Sequence, residues 1–127
     1  MEAGRNKKLV IMGMTDTLKD KIIFSIEAEG FDVIRVNSCH ELLKYTQDYP
    51  SIDTILVDGE NQTEDFKHII QKIQSYLKTK PLLIFTSRFH LGALASAVSS
   101  GFDEFLAKPF GADELKALLN KYSPIDK

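Results

Sequence analysis

The sequence predicts an α/β fold, a (βα)5 chain forming a doubly wound parallel five-stranded sheet, and three observations predict it. Short runs such as Leu9-Val10-Ile11-Met12 and Leu82-Leu83-Ile84-Phe85 carry no polar residue, so the strands they form are covered on both faces. Segments with apolar residues at helical spacing separate those runs. Strand and helix alternate five times over, and strands joined by helical crossovers run parallel.

Residues 1 to 6 lack periodicity and read as a loose terminus. Leu9 to Met12 then form a buried strand that stops at Gly13. Thr15-Asp16-Thr17 offers N-cap candidates for a helix whose Leu18, Ile22, Ile23 and Ile26 share one face, and Gly30 ends it as a C′ residue does. Phe31 to Val36 alternates, with Phe31, Val33 and Arg35 on one side, and this least apolar strand belongs at a sheet edge. Ser38-Cys39-His40-Glu41 fits a capping box, so a second helix starts here and runs to about Gln47 before Tyr49-Pro50 closes it. Ile55-Leu56-Val57-Asp58 is the third strand, an apolar run ending on a carboxylate, followed by the polar loop Gly59 to Thr63. Phe66, Ile69, Ile70, Ile73 and Leu77 mark a third, amphipathic helix. Pro81 opens the fourth strand, Leu82 to Phe85, which exits on Thr86-Ser87. Leu91, Leu94, Ala95 and Val98 give the apolar stripe of a fourth helix stopped by Gly101. Phe105-Leu106-Ala107 is a short last strand exiting on Lys108-Pro109. Leu115, Leu118, Leu119 and Tyr122 make the last helix, with Asp113 and Glu114 in its first turn, where the helix dipole favours acids.

Five units of this length with a polar second strand fit the flavodoxin-like order 2-1-3-4-5. At 127 residues the expectation is one domain with a core of about 7 to 122 and loose termini at 1–6 and 123–127. A net charge of −2 lacks the basic excess of a nucleic-acid binder. The lone Cys39 excludes an internal disulfide and fits a reducing compartment. No apolar stretch reaches membrane-span length and no signal peptide opens the chain, so a cytoplasmic location is expected. Whether the domain stands alone or belongs to a longer protein is left open by Tyr122-Ser123-Pro124, which reads as a helix end followed by a linker.

In a sheet of this order the functional crevice lies outside the carboxyl ends of the strands. The residues leaving the strands there are Gly13-Met14, Asp58, Thr86-Ser87 and Lys108. A carboxylate, a hydroxyl and an ammonium thus converge on one rim from distant segments. Each residue alone would read as a solvated acid, a capping hydroxyl or a surface lysine; their joint placement on central strands favours a site.

Three stretches carry a family resemblance: Ile52 to Asp58, Pro81 to Ser87, and Gly101-Phe102-Asp103-Glu104-Phe105-Leu106-Ala107-Lys108-Pro109-Phe110. The chain resembles a receiver domain of the bacterial two-component response regulators, over residues 7 to 122. The resemblance implies a phosphoryl switch. Asp58 is then at the phosphoacceptor position, Lys108 holds a phosphoryl oxygen, Thr86 hydrogen-bonds another, and Phe105 turns inward as the output face rearranges. It also implies a frequently cis Lys108-Pro109 bond. A sensor histidine kinase or phosphotransfer protein is the implied upstream partner, with a downstream protein, or a second copy in a homodimer, on the face of residues 91–121.

The family places two or three Mg²⁺-binding acids directly after the first strand, and here Gly13 and Met14 stand there. Neither a glycine hydrogen nor a thioether is a ligand for a hard cation. Asp58 and Glu60 are the remaining candidate ligands. The expectation is therefore an atypical or pseudo-receiver, not an enzyme beyond phosphorylation and dephosphorylation of Asp58 itself. It acts by protein contact, with Asp58 and Lys108 as a standing ion pair. The alternative is a flavin- or phosphate-ligand-binding module on the same fold, suggested faintly by Gly13-Met14-Thr15-Asp16-Thr17. Against it, Asp16 is negative and no Trp or Tyr stands in a flavin-sandwiching loop. His40, His68 and His90 lack metal-ligand spacing and read as solvated or capping residues.

Overall fold

In the computed structural model, which describes residues 7–13, 20–49, 51–59, 66–88 and 90–122, strand and helix alternate throughout. The elements are β1 (Lys7–Met12), α1 (Asp20–Ala28), β2 (Phe31–Val36), α2 (Cys39–Asp48), β3 (Thr54–Asp58), α3 (Phe66–Tyr76), β4 (Leu82–Arg88), α4 (Leu91–Ser100), β5 (Glu104–Lys108) and α5 (Ala112–Tyr122). One sheet holds the five strands in the order β2-β1-β3-β4-β5, and every neighbouring pair is parallel. This is the flavodoxin-like (βα)5 arrangement that the sequence predicts.

Strand side chains alternate between two cores, one on each face, as the period of two requires. Val10, Met12, Ile55, Val57, Leu83 and Phe85 pack under Leu42 of α2, Ile70 and Ile73 of α3 and Ala97 of α4. Leu9, Ile11, Leu56, Leu82 and Ile84 pack under Ile23 and Ile26 of α1 and Leu115 and Leu119 of α5. All of β3 is buried, whereas the edge strands β2 and β5 are partly exposed.

Local signals in the sequence act as read. The Glu41 N–H donates to Ser38 Oγ at 3.1 Å, as in the expected capping box, while the Glu41 carboxylate accepts from the N–H of Asn37, one residue before the N-cap of α2. Gly101 caps α4 at φ 97, the left-handed conformation that glycine adopts without steric cost. The proposed N-cap Thr15-Asp16-Thr17 of the first helix, and Leu18, lie outside the described residues.

The fourth helix corrects the sequence reading. Its expected stripe faces water: Leu91 is 77% exposed and Val98 69%, with Leu94 also exposed, while Ala93 and Ala97 are buried instead. The reason is steric. The rings of Phe85, Phe102 and Phe105 occupy the core beside Ala97, and only methyl-sized side chains fit between them and the helix. Strand β4 also runs on to Arg88, because Thr86, Ser87 and Arg88 pair with Leu106, Ala107 and Lys108 of β5. No helix among the described residues is long and apolar enough to cross a membrane.

Candidate functional site

Asp58 is the last residue of β3, and the β3–β4 register sets it directly beside Thr86. The Gly59 N–H donates to the Thr86 carbonyl at 2.9 Å, which carries the pairing one residue past the strand end. One strand further on, Lys108 closes β5, followed by a cis Lys108-Pro109 bond. The sheet thus brings together, from segments far apart in sequence, the carboxylate and the ammonium the sequence singles out.

The two are in direct contact. Lys108 Nζ donates to Asp58 Oδ1 at 3.0 Å and to Oδ2 at 2.9 Å. The Asp58 side chain is 0% exposed and that of Lys108 5%. A carboxylate withdrawn from water to this extent carries its charge only beside a partner, because desolvation costs several kcal/mol per ion. Lys108 bridges both oxygens, so the acid is oriented and shielded.

Thr86 is fully buried, yet its hydroxyl does not address Asp58. It donates to the Leu106 carbonyl at 2.6 Å, pinning β4 to β5. Phe105 is half-buried, with its ring centroid 6.1 Å from that of Phe85, which in turn lies 5.0 Å from that of Phe102. Gly13 ends β1 at φ 79, with its N–H on the Val36 carbonyl at 3.3 Å, and brings no side-chain donor to the rim. Met14 and Glu60 lie outside the described residues, as does the segment 14–17 on which a phosphate loop would rest.

Among the described residues, the side chains at this rim do not make up a divalent-cation site. A hard cation takes several oxygen ligands. Here both oxygens of Asp58 are engaged by an ammonium, and Gly13 offers no side-chain oxygen. Among the described residues no group of three His, Cys, Asp or Glu side chains could hold a metal ion. His40 and His68 are exposed on separate helices, and His90 caps α4, its Nδ1 accepting from the Ala93 N–H at 3.1 Å.

Two contacts are invisible to sequence reasoning. The Phe85 ring lies against Gly59, where an added Cβ would stand only 2.0 Å from Phe85 Cζ. The partner of the Thr86 hydroxyl is a backbone carbonyl on β5, which no residue type announces. A glycine directly after Asp58 and an aromatic directly before Thr86 are the available signals, but nothing in the sequence joins them.

No protein-family model matches the chain. The transcriptional regulatory protein BasR of Escherichia coli is 25% identical over 120 residues, covering 91% of this chain and 54% of that protein. The CAI-1 autoinducer sensor kinase/phosphatase CqsS of Vibrio cholerae is 24% identical over 123 residues, 94% of this chain and 17% of its own length. The chain thus spans about half of the regulator and a small part of the kinase. Among solved structures, the receiver domain of a Pseudomonas aeruginosa sensor histidine kinase, with magnesium in its active-site cleft, superposes with a TM-score of 0.76 at 18% identity, covering 93% of this chain and 98% of that one.

Relatives and fold point to one class: the relatives this chain matches include response regulators, and the solved structures it resembles are receiver domains, whose fold it shares.

Proposed function

We propose that this domain is an atypical receiver, a signalling switch that works by protein contact, with Asp58 at the phosphoacceptor position but no acid pair for Mg²⁺. The observation that carries the reading is the bidentate Lys108–Asp58 pair, withdrawn from water on both sides. Phosphoryl transfer between anionic groups depends on neutralising charge as it builds up. Here the Lys108 ammonium is already committed to the acceptor carboxylate.

In this reading Lys108 and Thr86 are the groups that would hold phosphoryl oxygens and Phe105 is the switch aromatic. Lys108 instead fixes Asp58, and Thr86 fixes β5. Upstream, the partner is a sensor histidine kinase or a phosphotransfer protein. Downstream, a protein or a second copy of this chain docks on the face of residues 91–121, where Leu91, Leu94 and Val98 lie exposed on α4. The domain contacts neither nucleic acid nor membrane and works in the cytoplasm.

The test is incubation with acetyl phosphate and Mg²⁺ followed by intact mass measurement. The expected result is an unchanged mass. A gain of one phosphoryl group that disappears in Asp58→Asn refutes the atypical reading and restores ordinary acceptor chemistry.

A further inference from the structure

We propose that Phe85 is a positioning residue that couples the acceptor end of β3 to the β5–α4 face. The inference rests on the reading of Asp58 as the acceptor position. Its basis is a continuous row of contacts that bypasses the Thr86 hydroxyl.

The row begins at Gly59, the residue that follows Asp58. A Cβ there would meet Phe85 Cζ at 2.0 Å, Cε1 at 2.3 Å and Cε2 at 2.9 Å, so the ring occupies the place of a side chain. Phe85 is otherwise enclosed, with 5% of its surface exposed. It stands opposite Val57 on β3 and opposite Phe105 on β5, so these three side chains share one sheet face. The Phe85 and Phe105 rings stack at 6.1 Å with an interplanar angle of 29°. Ala97 of α4 packs in the same core, and its methyl group leaves the rings beside the helix.

Close-packed interiors transmit displacement, because a ring without free space moves only when its neighbours move. The Gly59 backbone is bonded directly to the residue whose charge state defines the site. A shift of Asp58–Gly59 therefore presses on or releases the Phe85 ring, and the ring carries that shift to Phe105. Thr86 does not supply this route in the present arrangement, since its hydroxyl is held by the Leu106 carbonyl.

The experiment perturbs the strand end without a phosphodonor, so it stands apart from whether Asp58 accepts a phosphoryl group. Phenylalanine rings are labelled with carbon-13 and observed by NMR in the wild type, Asp58→Asn, Phe85→Leu and the double variant. Asp58→Asn removes the charge that holds Lys108 and is expected to move the Phe105 ring resonances. With Phe85→Leu in place the same substitution leaves them unmoved, whereas with Phe102→Leu the response persists. A purely structural role for Phe85 would lower stability without abolishing the response of Phe105 to Asp58→Asn. The proposal is overturned if that response is equal with and without the Phe85 ring, or absent from the wild-type background. Should Phe85→Leu not fold, Gly59→Ala pushes the ring from the acceptor side while retaining it. A Phe105 spectrum unchanged by Gly59→Ala then overturns the proposal.

Discussion

Replacing Lys108 with methionine preserves most of the side chain's apolar bulk and removes its charge, which isolates the ion pair. At 2.9 Å the attraction of two unit charges is about 6 kcal/mol at an effective dielectric constant of about 20. Burial of both groups offsets much of that, so the net worth of the pair is far smaller than the attraction. Breaking it from the lysine side is different, because Asp58 is 0% exposed and cannot reach water. A buried charge deprived of its partner costs about 3–5 kcal/mol, a large share of the roughly 5–15 kcal/mol that hold a domain together.

Urea unfolding reads this directly. With a slope of about 2 kcal/mol per molar, the midpoint of Lys108→Met falls by about 2 M. Asp58→Asn is the milder change, about 1.5–3 kcal/mol, the worth of a hydrogen bond to a charged group, because a flexible lysine can extend toward solvent. The double variant Asp58→Asn/Lys108→Met is more stable than Lys108→Met alone. A loss below about 1 kcal/mol in Lys108→Met, the range of exposed pairs, refutes the argument from burial. A double variant no more stable than Lys108→Met refutes it as well.

Three further outcomes follow from particular contacts. Ser38→Ala removes the acceptor of the Glu41 N–H and should cost about 1 kcal/mol in urea unfolding, whereas Ser38→Asp should cost almost nothing. Gly59→Ala overpacks the Phe85 ring and should lower stability by about 1–3 kcal/mol, with part of the loss recovered in Gly59→Ala/Phe85→Leu. Burial, reinforced by the charges of Tyr49 and Asp32, raises the Tyr45 hydroxyl above its ordinary value of 10.0. The folded state therefore keeps a proton that the unfolded chain gives up. This contribution is complete below about pH 10 and is lost as pH rises through the folded value. Unfolding measured across that range should show a shallower decline for Tyr45→Phe, and an identical decline would contradict the assignment.

The sheet was legible because its central strands are almost purely apolar, which leaves a parallel sheet covered on both faces as the economical solution. The order was legible because Asp32 and Arg35 make one strand too polar for the interior, and both are exposed. At the site, Asp58 and Lys108 could be named because strand ends are marked by the switch from apolar to polar residues. The direction of the Thr86 hydroxyl was not legible, since a backbone carbonyl on another strand decides it. The buried side of α4 was misread for a related reason. Periodicity finds the bulkiest stripe on a helix, but the space beneath this one is set by three rings from β4, β5 and the turn between α4 and β5.

That helix is anchored to the core by two methyl groups, those of Ala93 and Ala97, and a buried methyl-sized group contributes only about 0.8 kcal/mol. Its own sequence carries no charge to form ion pairs with its neighbours. Its amide hydrogens should accordingly exchange with solvent by local opening well before those of the buried central strands. A partner that covers Leu91, Leu94 and Val98 removes more apolar surface from water than the domain's own core removes from this helix. Docking and the placement of α4 are then a single equilibrium, and the helix settles where its partner holds it.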